Sequence, residues 1–399
     1  MTPLNRGSIE AEFDAIADWW LQFPLDADHG GFAGEVDFSG QLVDGAAKGV
    51  VLNSRILWFF SELNRFRKDA RCRARADCAF LYLYDHFHDS TENGAVWSLH
   101  ADGSIEQAKK QIYAQCFCIY AFSAYYAATG TPESLSRAFE YFDLVEKRAR
   151  DRELGGYHEA FSRDWQPLAD VRLGDDDLNA PKTMNTHLHL LEAYTALHKV
   201  AGNERTATAL RDSIEIFCER IVDREAGHLR LYFDKHWRDL SCSWSFGHDI
   251  EASWLLREAA EALEDDELLE NTCAISLQLA ESCLSAGFGD LGQVCDEYNL
   301  HTRQRGAYSV WWVQAEALVG FLNAFELTRD ERFGAAAHQV WNHILAHHKD
   351  RAAGEWHWMT DSQGKPLPGY CKAGFWKGPY HNGRAMLEAS RLIERIDND

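Results

Sequence analysis

The chain has 399 residues and a formal net charge of −22, from 62 acidic and 40 basic side chains. A charge of that sign repels nucleic acid and anionic membrane surfaces and disfavours highly phosphorylated substrates. Hydrophobic residues make up 46% and aromatics 13%, with 14 Trp, and a single core at this length requires a closed barrel of repeated units.

Residues 1–10 hold no apolar run of the secretory kind, and no run nears the roughly 18 residues needed to span a bilayer. The ten cysteines include a CxC at Cys116 and Cys118 but no CxxC pair. Scattered thiols of this kind read as reduced and buried, in a cytoplasmic chain.

Helical spacing predicts a first helix over 9–21. A glycine-led, alternating segment follows at 30–40 and ends in a Ser-Gly turn. Similar segments recur at 94–103, 155–165, 227–237 and 354–364, with a weak copy near Gly289. Each reads as a short hairpin. Between them lie helix pairs over 53–65 and 74–88, 112–128 and 133–148, 183–200 and 205–222, 250–263 and 267–284, and 310–327 and 332–347. A last helix over 381–396 pairs with the first. The period is roughly 60–70 residues, a length that signals a stacked or closed repeat. A solenoid would need polar capping repeats. Here the two terminal helices complete one pair, so the expected fold is all-α: an (α/α)6 barrel of six inner and six outer helices, hairpins at one rim, forming one catalytic domain over 1–399.

Candidate chemistry lies in tryptophan-rich segments. Asn185 and His189, four apart, share one helix face, while His187 points away as a structural histidine. A helical zinc pair wants spacing of four, so His187 and His189 do not read as metal ligands. His248 and Glu251 are one turn apart, so the carboxylate is expected to orient the imidazole. Trp312 and Glu316 share another face, as an aromatic wall with a hydroxyl acceptor. Arg55 sits in an otherwise apolar helix, either in a salt bridge to a neighbouring helix or as a donor to an oxyanion. Tyr113 is placed similarly. Trp376, His381 and Arg384 follow a Gly-Pro turn and are expected on a rim loop. Histidines beside ring-stacking indoles imply proton transfer on a carbohydrate.

Several tracts resemble the cellobiose 2-epimerases of the N-acylglucosamine 2-epimerase superfamily. They are Gly-Gly-Phe at 30–32, Lys-Gly-Val-Val-Leu-Asn-Ser-Arg-Ile-Leu-Trp-Phe-Phe-Ser at 48–61, Gly-His-Asp-Ile-Glu-Ala-Ser-Trp-Leu-Leu at 247–256, Trp-Trp-Val-Gln-Ala-Glu at 311–316 and Trp-Lys-Gly-Pro-Tyr-His-Asn-Gly-Arg at 376–384. The resemblance runs nearly end to end. It implies an (α/α)6 barrel and reversible C2 epimerisation of the reducing-end glucose of β-1,4-linked disaccharides: cellobiose to glucosyl-mannose, lactose to epilactose. It implies a catalytic set of Arg55, His189, His248 and His381. Tyr113, Asn185, Glu251, Trp254, Trp312, Glu316 and Trp376 would bind or orient the sugar, with Asp177 a weaker correspondence among competing acids.

The expected reaction passes through a cis-enediolate and requires no metal and no other cofactor. The expected partner is a small carbohydrate, a disaccharide or monosaccharide, with no nucleic acid and no membrane. The chain is expected to act as a monomer or weak homodimer. A mannose isomerase or mannose 2-epimerase remains an alternative on the same residues. An (α/α)6 glycoside hydrolase using Glu251 and Glu316 is a remoter one.

Overall fold

The computed structural model describes residues 3–398. Among the described residues, twelve α-helices alternate between an inner and an outer ring. They are α1 (Arg6–Leu21), α2 (Val50–Arg67), α3 (Ala70–Tyr82), α4 (Ile112–Thr129), α5 (Pro132–Arg148), α6 (Met184–Ala201), α7 (Glu204–Ile216), α8 (Phe246–Ala262), α9 (Asp266–Ala286), α10 (Trp311–Thr328), α11 (Glu331–His343) and α12 (His381–Asn398).

The even-numbered helices form the inner ring, and successive members from α2 to α12 pack on one another. Each of α3, α5, α7, α9 and α11 lies outside its predecessor, and α1 covers α12. Burial explains the two roles. Along α4, residues 112–119 are buried on every face. On α5, burial follows one stripe: Ser134, Arg137, Ala138, Tyr141, Phe142 and Val145. Closure depends on Gly383 in α12, where a Cβ would lie 2.6 Å from the Phe59 ring of α2. The expected (α/α)6 barrel is the observed fold.

Helix ends differ from the sequence expectation in two consistent ways. Two inner helices begin earlier, at Val50 and Phe246; in α2 the added first turn is the buried apolar run Val50, Val51 and Leu52, which continues the core face. Three outer helices stop short of the expected ends, since their last turns are π-wound over Leu83–Phe87, Phe217–Ile221 and Ile344–His348. Helical spacing alone does not separate these turns from α-helix.

Nor are the glycine-led segments mainly self-contained hairpins. A short strand before each of five inner helices pairs antiparallel with the segment that follows that repeat. Lys48–Gly49 pairs with Ser98–Leu99, Lys110–Gln111 with Ala160–Phe161, Lys182–Thr183 with Tyr232–Phe233, Ser243–Ser245 with Glu297–Asn299, and Ser309–Val310 with Met359–Thr360. Alternation identifies extended residues but not their partners. The pairing ties each inner-helix N-terminus to the next repeat, so these N-termini gather at one rim. Buried Lys48, Lys110 and Lys182 fix the same rim by pairing with Asp26, Asp89 and Asp151 at 2.7, 3.1 and 2.8 Å. No helix of the described residues is long and apolar enough to cross a membrane.

Candidate active site

A cavity of about 330 Å³ opens at the rim where the inner helices begin. Its wall includes Arg55, Tyr113, Asp177, Asn185, His189, His248, Glu251, Trp312, Trp376 and His381. Ten of the twelve residues expected at the site therefore line one cavity. A second hollow of about 200 Å³ shares Asp177, Asn185, His248 and Trp312 with it.

Trp312 packs against two of the histidines, with ring centroids 4.8 Å from His248 and 5.6 Å from His381. The close fit at His248 needs Gly247, since a Cβ there would lie 2.5 Å from the Trp312 ring. His248 Nδ1 lies 2.7 Å from Ser245 Oγ, the side chain that also caps α8. The expected pairing of His248 with Glu251 is not made. One helical turn puts the two on adjoining faces, and Glu251 turns instead toward α12, donated to by Arg384 Nη2 at 2.6 Å.

His381 and Arg384 are not on a rim loop. They form the first turn of α12, and both are buried. The helix begins at His381, where its spacing predicts it, so of the three residues expected there only Trp376 lies in the loop. His381 Nδ1 donates to Glu316 Oε1 at 2.6 Å. Arg384 Nη2 reaches the same Glu316 oxygen at 2.7 Å, and Nη1 donates to Glu192. Glu192 Oε2 in turn accepts from His189 Nδ1 at 3.0 Å, and its other oxygen accepts from the Tyr380 hydroxyl. One buried guanidinium thus joins the carboxylates that hold His189 and His381.

Glu316 and Trp254 do not line the cavity. Trp254 Nε1 donates to Glu316 Oε2 at 3.1 Å, and the Arg384 guanidinium lies over the Trp254 ring at 4.7 Å. Both residues support the wall from behind. They have the helical spacing of cavity residues but sit one layer deeper.

Arg55 has no carboxylate within ion-pair reach among the described residues. Its Nη2 donates to Tyr113 Oη at 3.0 Å, Nη1 donates to the Trp376 carbonyl, and its plane rests on Phe117 and Tyr380. The salt bridge to a neighbouring helix is absent, and a cation faces the cavity without a countercharge. Asn185 Oδ1 is buried with no partner among the described residues. Asp177 accepts from Tyr232 Oη at 3.0 Å. His187 lies outside the cavity: Nδ1 bonds the Thr183 carbonyl at 2.7 Å, and Nε2 accepts from the Tyr157 amide at 3.0 Å.

Burial dominates the electrostatics. It holds the His248 pKa down to about 3, with His189 adding repulsion. Burial, then Arg55 and Arg384, keep His381 well below the ordinary imidazole range. Burial also lowers His189 against the pull of Glu192. All three imidazoles are therefore neutral near pH 7. Burial alone would raise Glu192, but Arg384 and His189 bring it down to about 2. Burial and neighbouring Glu316 push Glu251 up to about 8. Burial also raises the Tyr113 phenol, to about 12.

Glu251, Glu316 and His381 form a compact set of oxygen and nitrogen donors that could gather a metal ion. Arg384 already donates to both carboxylates, so a cation entering there meets a guanidinium.

Sequence reasoning missed Glu192, Tyr380 and Ser245, and it missed Asp296 on the cavity wall. Glu192 had a legible signal, an acid three residues after His189 within the apolar run Leu188, Leu190 and Leu191.

Residues 30–385 match the N-acylglucosamine 2-epimerase (GlcNAc 2-epimerase) family. The chain belongs to this family and is accordingly a carbohydrate epimerase, an isomerase. A cellobiose 2-epimerase of Bacteroides fragilis is 41% identical over 94% of this chain and 95% of its own. The solved cellobiose 2-epimerase of Spirochaeta thermophila superposes with a TM-score of 0.90 at 40% identity, covering 98% of this chain and 97% of that one. A D-mannose isomerase structure shares the fold, with a TM-score of 0.85 at 18% identity over 98% and 99% of the two chains.

Proposed function

We propose that the protein reversibly inverts C2 of the reducing-end glucose of β-1,4-linked disaccharides, cellobiose and lactose among them. The observation that carries this reading is the unequal anchoring of two cavity histidines. His381 Nδ1–H is committed to Glu316, which leaves Nε2 bare as a base. His248 Nδ1 faces the Ser245 hydroxyl, a group that can donate as well as accept; we assign the hydroxyl as donor, which places the His248 proton on Nε2 as an acid. Inverting a carbon needs one group of each kind, and the pair exchanges roles in the reverse direction.

After ring opening, His381 takes the C2 proton and the electrons move into a cis-enediolate. Arg55, which carries no countercharge, stabilises the charge growing on O1. His248 Nε2–H gives its proton to the opposite face of C2, and the imidazole regains a proton from solvent as His381 releases the one it took. His189 and Asn185 serve ring opening. Similarity to the cellobiose 2-epimerases supports a disaccharide, as does the 200 Å³ hollow beside the reaction cavity.

The glycosidase geometry is not met. Glycosidase carboxylates flank a scissile bond with room between them for a substrate atom or water. Here Glu251 and Glu316 share one Arg384 nitrogen. Incubation with cellobiose, lactose and mannose, with product identification, tests the reading. It expects glucosyl-mannose and epilactose. Glucose released from cellobiose, or ketose as the only product, overturns it.

A further inference from the structure

Three buried carboxylates, Glu192, Glu251 and Glu316, surround the single guanidinium of Arg384. They are not equally held. Glu192 accepts from His189, Tyr380 and Arg384. Glu316 accepts from His381, Trp254 and Arg384. Glu251 accepts from Arg384 alone, through Oε1. Its Oε2 is buried without a partner among the described residues, yet Glu251 lines the reaction cavity. The charged groups facing it are Arg384 on α12, Glu316 on α10 and Glu192 on α6, with the neutral His381 ring and the Tyr113 and Tyr380 phenols alongside.

One cation cannot stabilise three adjacent buried anions, so a proton goes to the carboxylate with the fewest donors. Burial and Glu316 raise Glu251 in agreement. An unpartnered carboxyl oxygen in a sugar cavity becomes a donor once it is protonated.

We propose that Glu251 is the acid that opens and recloses the sugar ring. The assignment rests on the epimerase reading above. As the C1–O5 bond breaks, its electron pair goes to O5, which takes the proton from Glu251 Oε2. His189 takes the O1 proton, and the former O–H pair forms the C1 carbonyl. Glu251 is left as carboxylate until ring closure returns its proton, so no co-reactant is consumed.

The test is Glu251→Gln, which keeps an oxygen for Arg384 and the shape of the carboxyl but has no proton to give. Two readouts are used. In the first, the infrared difference spectrum of wild type minus E251Q at pH 7 should show a protonated-carboxyl band; its absence overturns the proposal without bearing on the epimerase reading. In the second, cellobiose is compared with its analogue lacking the reducing-end 5-hydroxyl, which cannot close a pyranose. E251Q should lose about 10²–10⁴-fold in turnover on cellobiose but far less in C2 proton exchange on the open analogue. Equal losses on both sugars overturn the assignment. A wild type that epimerises neither sugar but shows the band refutes the epimerase reading instead.

Discussion

His381 Nδ1 donates to Glu316 Oε1 over 2.6 Å, and this contact decides which nitrogen of the ring meets the sugar. Glu316→Gln replaces an anionic acceptor with an amide that can hold either tautomer. It should lower kcat about 10²-fold or more, with a small change in KM. Steady-state kinetics on cellobiose check this. An unchanged kcat would detach Glu316 from the chemistry.

His248 and His381 act as a unit in the proposed reaction. Either change to Ala should nearly abolish turnover in a folded protein, and the double change should cost little more than one. Additive losses in kcat would separate the two roles.

His187 should behave differently. It lies outside the cavity and satisfies the Thr183 carbonyl and the Tyr157 amide. His187→Ala leaves the buried Tyr157 amide unpaired and should destabilise by about 1–3 kcal/mol. Denaturant titration should register that loss while kcat stays near wild type. Lost activity in a folded variant would contradict the division.

Trp376 stays in the loop at the cavity edge, against Trp97 and Tyr113. Its indole is placed to stack on a second sugar ring. Trp376→Ala should lower kcat/KM for cellobiose far more than for mannose or glucose. Equal losses would put the indole at the reacting ring.

The pH profile has a predicted shape. Imidazoles near 6.5 would give an acid limb there. Burial holds His248 at about 3 and His381 well below its usual range, so both remain neutral through pH 5–8. Falling pH should therefore not cut kcat/KM near 6.5. Rising pH should cut it through about 8, where Glu251 loses its proton. An acid limb near 6.5 would contradict this reading of the site.

The helical repeat was legible because its period repeats along the chain, and the mouth residues because His and Arg stand out in apolar helices. The supporting layer was not legible. Arg384 meets Glu192, Glu251 and Glu316 across 192, 133 and 68 residues, and no local pattern carries such a contact. The same holds for Trp254, whose spacing suits the cavity but whose indole lies behind Glu316. Ser245 was hidden for another reason: it caps α8, and its bond to His248 depends on a helix start four residues earlier than periodicity places it.

The central claim is proton transfer at C2. Cellobiose turned over in deuterated water should yield glucosyl-mannose carrying one deuterium at C2 of the reducing residue. A C2 epimer formed without deuterium at that carbon would contradict the account.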